Sequence, residues 1–235
     1  MMRYLLFAVV LVVIMMGAIG CGARVTLQDQ VIAHMNDKYD DTFSYHGPFG
    51  GGTGTATQML LESAKFPGET FWISCQKENG ELIVKETYPR VKYLKQTQVL
   101  IASILDDAIE ADYYMIECGG EERAVSDKFS NELTFEEYIA DKKSGISFFI
   151  TIDGLVAASE QDDFEARLVN AFKEHGVCVS MGRLDFVEKR EVYEKYKASK
   201  EVAAMASLMD ECAVQGTILF MKMDGTAEPF KWEAY

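Results

Sequence analysis

The chain has 235 residues, 49% of them apolar and 26% charged. That is enough for one large domain or two small ones, and too mixed for a disordered acidic tail, a collagen-like repeat or a polytopic membrane protein. Its 23 basic and 37 acidic side chains give a net charge of -14, which argues against nucleic acid as a partner, because Lys and Arg must replace the phosphate counterions there.

The N-terminus sets an address. Arg3 is the only early charge, and Tyr4 to Gly20 then runs without a charged residue to Ala18-Ile19-Gly20-Cys21. A basic start, an apolar stretch and small residues at its end form a secretory signal peptide. The stretch is shorter than the ~20 apolar residues of a stable membrane span. Ala18-Ile19-Gly20-Cys21 resembles the lipobox of bacterial lipoproteins, with Ala18 where a larger aliphatic residue is usual. The resemblance implies a signal peptide over 1–20 and an acylated Cys21 as first residue of the mature chain. Two acyl chains, palmitate among them, suffice for stable anchoring. The body then lies on the extracytoplasmic side of the cell membrane. A plainly cleaved secretory signal and an uncleaved single-span anchor are the alternatives, and both leave the body on that side.

Removing residues 1–20 takes away Arg3 and no acid, so the net charge moves from -14 to -15. Basic and acidic residues number 9 and 16 in 21–125, and 13 and 21 in 126–235. The acid is therefore even along the chain, with no block that marks a tail or a binding stripe. Such a field repels anionic headgroups, which suits a body held at a membrane by its lipid.

Within 21–125, spacings of three and four among Val31, Ile32, Met35 and Tyr39 predict a helix over 27–39. A short strand over 42–45 follows, then a glycine-rich loop over 47–54, a strand over 55–64 and a turn at Phe66-Pro67-Gly68-Glu69. Residues 70–76 alternate, and Asn79-Gly80 signals a tight primed hairpin into a strand over 82–86. A helix followed by such a meander resembles the plan of cystatin-like domains. The Gln-x-Val-x-Gly motif of that family is absent, so no inhibitor function is carried over. Pro89 suits a helix start, and the stripe Leu94, Ile101, Leu105, Ala108 predicts one helix over 91–109 before a strand over 112–118.

A polar loop over 119–131 crosses into the second half, 126–235. Thr134 with Glu137 forms a capping box, and 146–152 is a nearly continuous apolar run expected of a central strand. Ser159 with Asp162 reads as another capping pair, with Gly176 as the helix stop. A strand over 177–187, helices within 189–211, a strand over 217–223, a turn at Asp224-Gly225 and a final strand over 227–232 complete the reading. Strands mixed with helices and joined by hairpins argue an α+β fold with a largely antiparallel sheet, either as two halves or as one continuous domain.

Export leaves four cysteines besides the anchor: Cys75, Cys118, Cys178 and Cys212. They suit either two disulfides or buried thiols acting as small hydrophobes. No catalytic residue emerges. Gly50-Gly51-Gly52-Thr53-Gly54-Thr55-Ala56 resembles the phosphate loop of tubulin-like GTPases, but Ala56 replaces its last glycine and too few residues precede it. Ser74-Cys75-Gln76-Lys77 matches the Ser-x-x-Lys pattern of penicillin-interacting serine enzymes. Its alternation reads as a strand, which puts Ser74 and Lys77 on opposite faces. The histidines, His34, His46 and His175, share no helical turn. His175 reads as a helix cap, and the acidic pairs at 40–41, 106–107 and 162–163 lack calcium-loop spacing. No cofactor or metal is expected.

The resulting expectation is a membrane-anchored, exported lipoprotein, resembling uncharacterised lipoproteins of Gram-positive bacteria, that binds a protein or small molecule at the cell surface or serves in the envelope without catalysing a reaction. An envelope hydrolase built on His46, with a Ser or Asp brought to it by the fold, is the alternative.

Overall fold

The computed structural model describes residues 25–50, 56–120, 125, 128–141, 145–199, 215–221 and 226–234. It is an α+β structure with two sheets. Helix α1 (Leu27–Lys38) precedes strands β1 (Phe43–Pro48), β2 (Thr57–Ser63), β3 (Thr70–Glu78) and β4 (Glu81–Glu86). These four strands form an antiparallel meander in chain order. Thr26 and Asp29 close a capping box on α1. This satisfies two of the amide donors that a helix start leaves open. Asn79 and Gly80 take φ of 52° and 88°, as a two-residue primed turn requires. Val31 and Met35 of α1 bury against Phe43, Met59, Leu61, Phe71 and Ile73.

The expected helix over 91–109 is two helices. Helix α2 (Tyr88–Lys92) stops at Tyr93, and α3 (Leu94–Ala108) continues from it. The Tyr93 hydroxyl donates to the Leu133 carbonyl, and Lys92 reaches the Asn131 and Leu133 carbonyls at 3.1 and 3.3 Å. A tertiary tie therefore sits at the break. The two large apolar clusters part at the same point, one ending at Val91 and the other beginning at Tyr93. Helix α3, read from sequence with the first half, packs with the second cluster.

The second sheet has the order β5 (Tyr113–Gly120), β6 (Ile146–Asp153), β7 (Val179–Val187), β8 (Gln215–Leu219), β9 (Glu233–Ala234). Helix α4 (Phe135–Ala140) precedes β6, with the Thr134–Glu137 capping box in place. Strands β6 and β7 are parallel and every other pair is antiparallel. A parallel pair needs a crossover, here α5 (Gln161–Glu174), which ends at Gly176 with φ 66°. Ser159 does not cap it. Residues 158–160 form a 3₁₀ turn, and the helix starts after Glu160 without a side-chain cap. His175 occupies the C-cap position.

Ile146, Phe148, Ile150 and Ile152 of β6 face α3 and α5, joining Ile101, Ile104, Leu105, Phe164, Leu168 and Phe172 in one core. Helix α6 (Arg190–Ser199) covers part of the other face, with Tyr193 and Val192 packed beside Val187, Tyr114 and Ile116. The final strand expected over 227–232 is reduced to a bridge between Met221 and Ala227, and pairing resumes at Gly216–Glu233. Residues 200–214 and the Asp224-Gly225 turn lie outside the described residues. Among the described residues, no helix is long and apolar enough to cross a membrane.

Candidate functional site

Cys21, Cys212 and Gly51–Thr55 lie outside the described residues. Cys75 and Cys118 are buried, free thiols. Burial, with Glu117 second, pushes the Cys118 thiol up to about 12, and burial also raises Cys75. Cys178 is half-buried and its thiol donates to the Met221 carbonyl at 3.7 Å. Ser74 and Lys77 both lie in β3, on opposite faces. His34 lies in α1, and burial lowers its pKa. Among the described residues, no group of three or more His, Cys, Asp and Glu is placed to hold a metal.

His46 lies at a β-bulge between Tyr45 and Gly47. Its ring is more than half exposed, and its Nδ1 lies 3.8 Å from Glu62, beyond hydrogen-bond range. Asp40 pairs instead with Lys65 at 3.1 Å. Asp41 accepts from Ser63 Oγ at 2.5 Å and Tyr88 Oη at 2.6 Å. Burial works against ionisation of Asp41, but these hydroxyls and the Thr42 and Lys65 amides outweigh it and hold the carboxyl below its usual range. Asp41 is thus bound to Ser63 and Tyr88, and the carboxylate recorded nearest His46 is Glu62.

Asp41 and Ser63 belong to a polar seam at the foot of the first sheet. Glu86, almost fully buried, accepts from Lys38 Nζ at 2.9 Å, from the Tyr88 amide at 2.5 Å and from the Tyr39 hydroxyl. The Tyr39, Phe43, Phe71 and Tyr88 rings pack on one another in the same core. A buried carboxylate satisfied on every side is a structural tie. Here it locks the end of α1 to β4 and α2.

Among the described residues, a pocket of about 240 Å³ opens at the outer edge of the second sheet, lined by residues including Arg183, Asp185, Ile218, Phe220, Glu228 and Lys231. Between Gly216–Glu233 and the Met221–Ala227 bridge the two segments splay apart, and the pocket opens there. Arg183 pairs with Ile218 and Asp185 with Gly216 across β7 and β8, so these four positions share one face. The glycine leaves the space beside Asp185 without a side chain. Thr217 pairs with Leu184 and shares its core face. Its buried hydroxyl has no hydrogen-bond partner among the described residues.

Asp185 is 4% exposed, and Arg183 Nε reaches its two carboxylate oxygens at 3.0 and 3.2 Å. Burial pushes the Asp185 carboxyl above its usual range, opposed by the adjacent guanidinium. The acid is too enclosed to meet a ligand and instead orients Arg183, which is about a third exposed. The wall of the pocket combines the Arg183 guanidinium with Glu228, Lys231 and Glu233 and with the half-exposed Ile218 and Phe220. A lining that mixes charged and apolar side chains suits a small ligand with a polar and an apolar portion. The signal in sequence is Arg183 and Asp185 at i and i+2 in an otherwise apolar strand, which reading by motif passes over.

No family model and no curated protein matches the chain. Among solved structures it is similar to a DUF5037 family protein from Ruminococcus gnavus, determined at 2.55 Å. The identity is 15% over 87% of this chain and 95% of that one, with a TM-score of 0.40.

Proposed function

We propose that the chain is an exported lipoprotein, acylated at Cys21, whose body binds a small molecule or a protein at the membrane surface. The observation that carries the reading is Gly20-Cys21 at the end of an uncharged run that follows Arg3. Cleavage before Cys21 would leave helix α1, whose capping box starts at Thr26, intact. The Arg183–Asp185 pocket is the part of the body best built for a ligand.

Growth with a labelled fatty acid tests the anchor. The wild-type chain is expected to carry label and to fractionate with membranes, and Cys21→Ala to carry none. An unlabelled wild type sinks the lipid reading. A chain that stays membrane-bound and unlabelled indicates the uncleaved single-span form.

A further inference from the structure

We propose that β4 is the interface for a second copy of this chain, the two β4 strands pairing antiparallel about a two-fold axis at Ile83. The proposal does not depend on acylation.

Strand edges carry unpaired backbone groups and are usually blunted. Three of the four sheet edges among the described residues are. Strand β1 has a bulge and ends in Pro48, β5 has a bulge between Met115 and Glu117, and β9 is two residues long. Strand β4 has six residues, pairs with β3 without a register shift, and among the described residues has a strand on one side only.

Its sequence is self-complementary. With Ile83 opposite Ile83 of the second copy, Glu81 falls opposite the second copy's Lys85, and Leu82 opposite its Val84. Glu81, Ile83 and Lys85 are exposed on one face, while Leu82 and Val84 lie half-buried on the core face. Both copies thus present apolar against apolar and acid against base in a single register. The backbone agrees. The two-residue turn makes Glu78 and Glu81 the first bond-exchanging pair, and bonding then alternates along β4. Ile83 and Lys85 therefore also bond inward to β3, and Leu82 and Val84 direct their amide and carbonyl groups to the open edge. In the proposed register Leu82 and Val84 of the two copies exchange both bonds. Ile83 meets Ile83 at the closer, non-bonded spacing. Glu81 already sits opposite Glu78 within its own sheet, a like-charge pair that costs stability. Lys85 of the second copy brings a cation to that site. A two-fold contact of this kind closes on itself and stops at two copies.

Cysteine pairing in the full-length chain tests the register. Non-bonded antiparallel positions have Cα atoms ~4.5 Å apart, inside the range a disulfide spans. Under mild oxidation Ile83→Cys is expected to yield a covalent dimer at least about tenfold above wild type. Lys85→Cys alone should stay near wild type, while co-expressed Glu81→Cys and Lys85→Cys chains cross-link to each other. Charge reversal gives an independent readout by sedimentation. Glu81→Lys and Lys85→Glu should each self-associate about tenfold more weakly, and mixing the two should restore dimers. The inference is overturned if Ile83→Cys links no better than wild type, if Lys85→Cys links as readily as Ile83→Cys, or if the reversals leave association unchanged.

Discussion

Gly182→Ala tests the packing logic of the second core. Gly182 sits on β7 between Phe148 of β6 and Leu219 of β8. A Cβ there would lie 2.5 Å from Phe148 Cζ and 2.8 Å from its Cε1. The ring has little freedom to retreat, because Phe148 is fully buried and stacked on Phe172 with centroids 5.4 Å apart and planes 13° from parallel. Overpacking of this kind costs ~1–3 kcal/mol. The φ of Gly182 is not positive, so alanine fits the backbone and returns about 0.4–1 kcal/mol by restricting the unfolded chain. The net loss is about 1–2 kcal/mol, or a Tm lower by about 2–8 °C for a chain of this size. Thermal unfolding followed by tryptophan fluorescence reads it, because Trp232 packs on Phe186, centroids 5.5 Å apart, in the same core. Adding Phe148→Leu frees the space, so the double variant should recover at least ~0.5 kcal/mol relative to the sum of the singles. A Gly182→Ala protein as stable as wild type, or strictly additive singles, would refute the reasoning.

Native protein at pH 8 should leave Cys118 unmodified by a thiol reagent, since a thiol pushed up to about 12 is almost wholly protonated there. Peptide mapping should find it, with Cys75, labelled only after denaturation. Asp41→Asn should lower Tm at neutral pH by a few degrees, as expected for loss of a charge-assisted hydrogen bond worth ~1.5 kcal/mol. Its folded pKa lies below the unfolded one, so its stabilisation holds above the unfolded value of about 4 and disappears as pH falls through the folded value. The gap between wild type and variant should close in acid over that window. Thr134→Ala removes the acceptor for the Glu137 amide and should cost about 1 kcal/mol in urea unfolding. Arg190 joins Asp112, Asp153 and Glu194 at 2.5–2.6 Å on the surface. Arg190→Ala should lower Tm in dilute buffer, with the difference shrinking in 1 M salt as screening takes over.

Features held by neighbours in sequence were legible. Asn79-Gly80 needs only its own φ preference, Thr134 and Glu137 only a helical turn, and Gly176 only its freedom at positive φ. Features that depend on distant contacts were not. Nothing in the apolar spacing of 91–109 marks the break at Tyr93, whose hydroxyl bonds a carbonyl forty residues on. The parallel pairing of β6 with β7 depends on where α5 packs, which the apolar run 146–152 does not encode. Ser159 had the chemistry of a cap, but the chain takes a 3₁₀ turn before the helix begins. The same holds for the candidate pocket. Arg183 and Asp185 are visible as two charges in an apolar strand, but Gly216, Ile218 and Lys231 reach them only once β8 and the return segment are in place.

The separation of the two cores at Tyr93 bears on how the chain is made. The first core draws on Val31 to Val91, a span of local hairpins and one helix, the sort of low-separation contacts that form quickly. The second needs Leu219, Met221 and Phe230 before its sheet is whole. In a chain delivered N-terminus first, the leading lobe can finish while most of the trailing one is still being synthesised. Strands β5 to β7 then wait, with one flank of β7 unpaired, for the last segment to arrive. That interval is when the protein is most exposed to aggregation. A stall or truncation after residue 199 should therefore yield an ordered first lobe attached to an unfinished, protease-sensitive remainder.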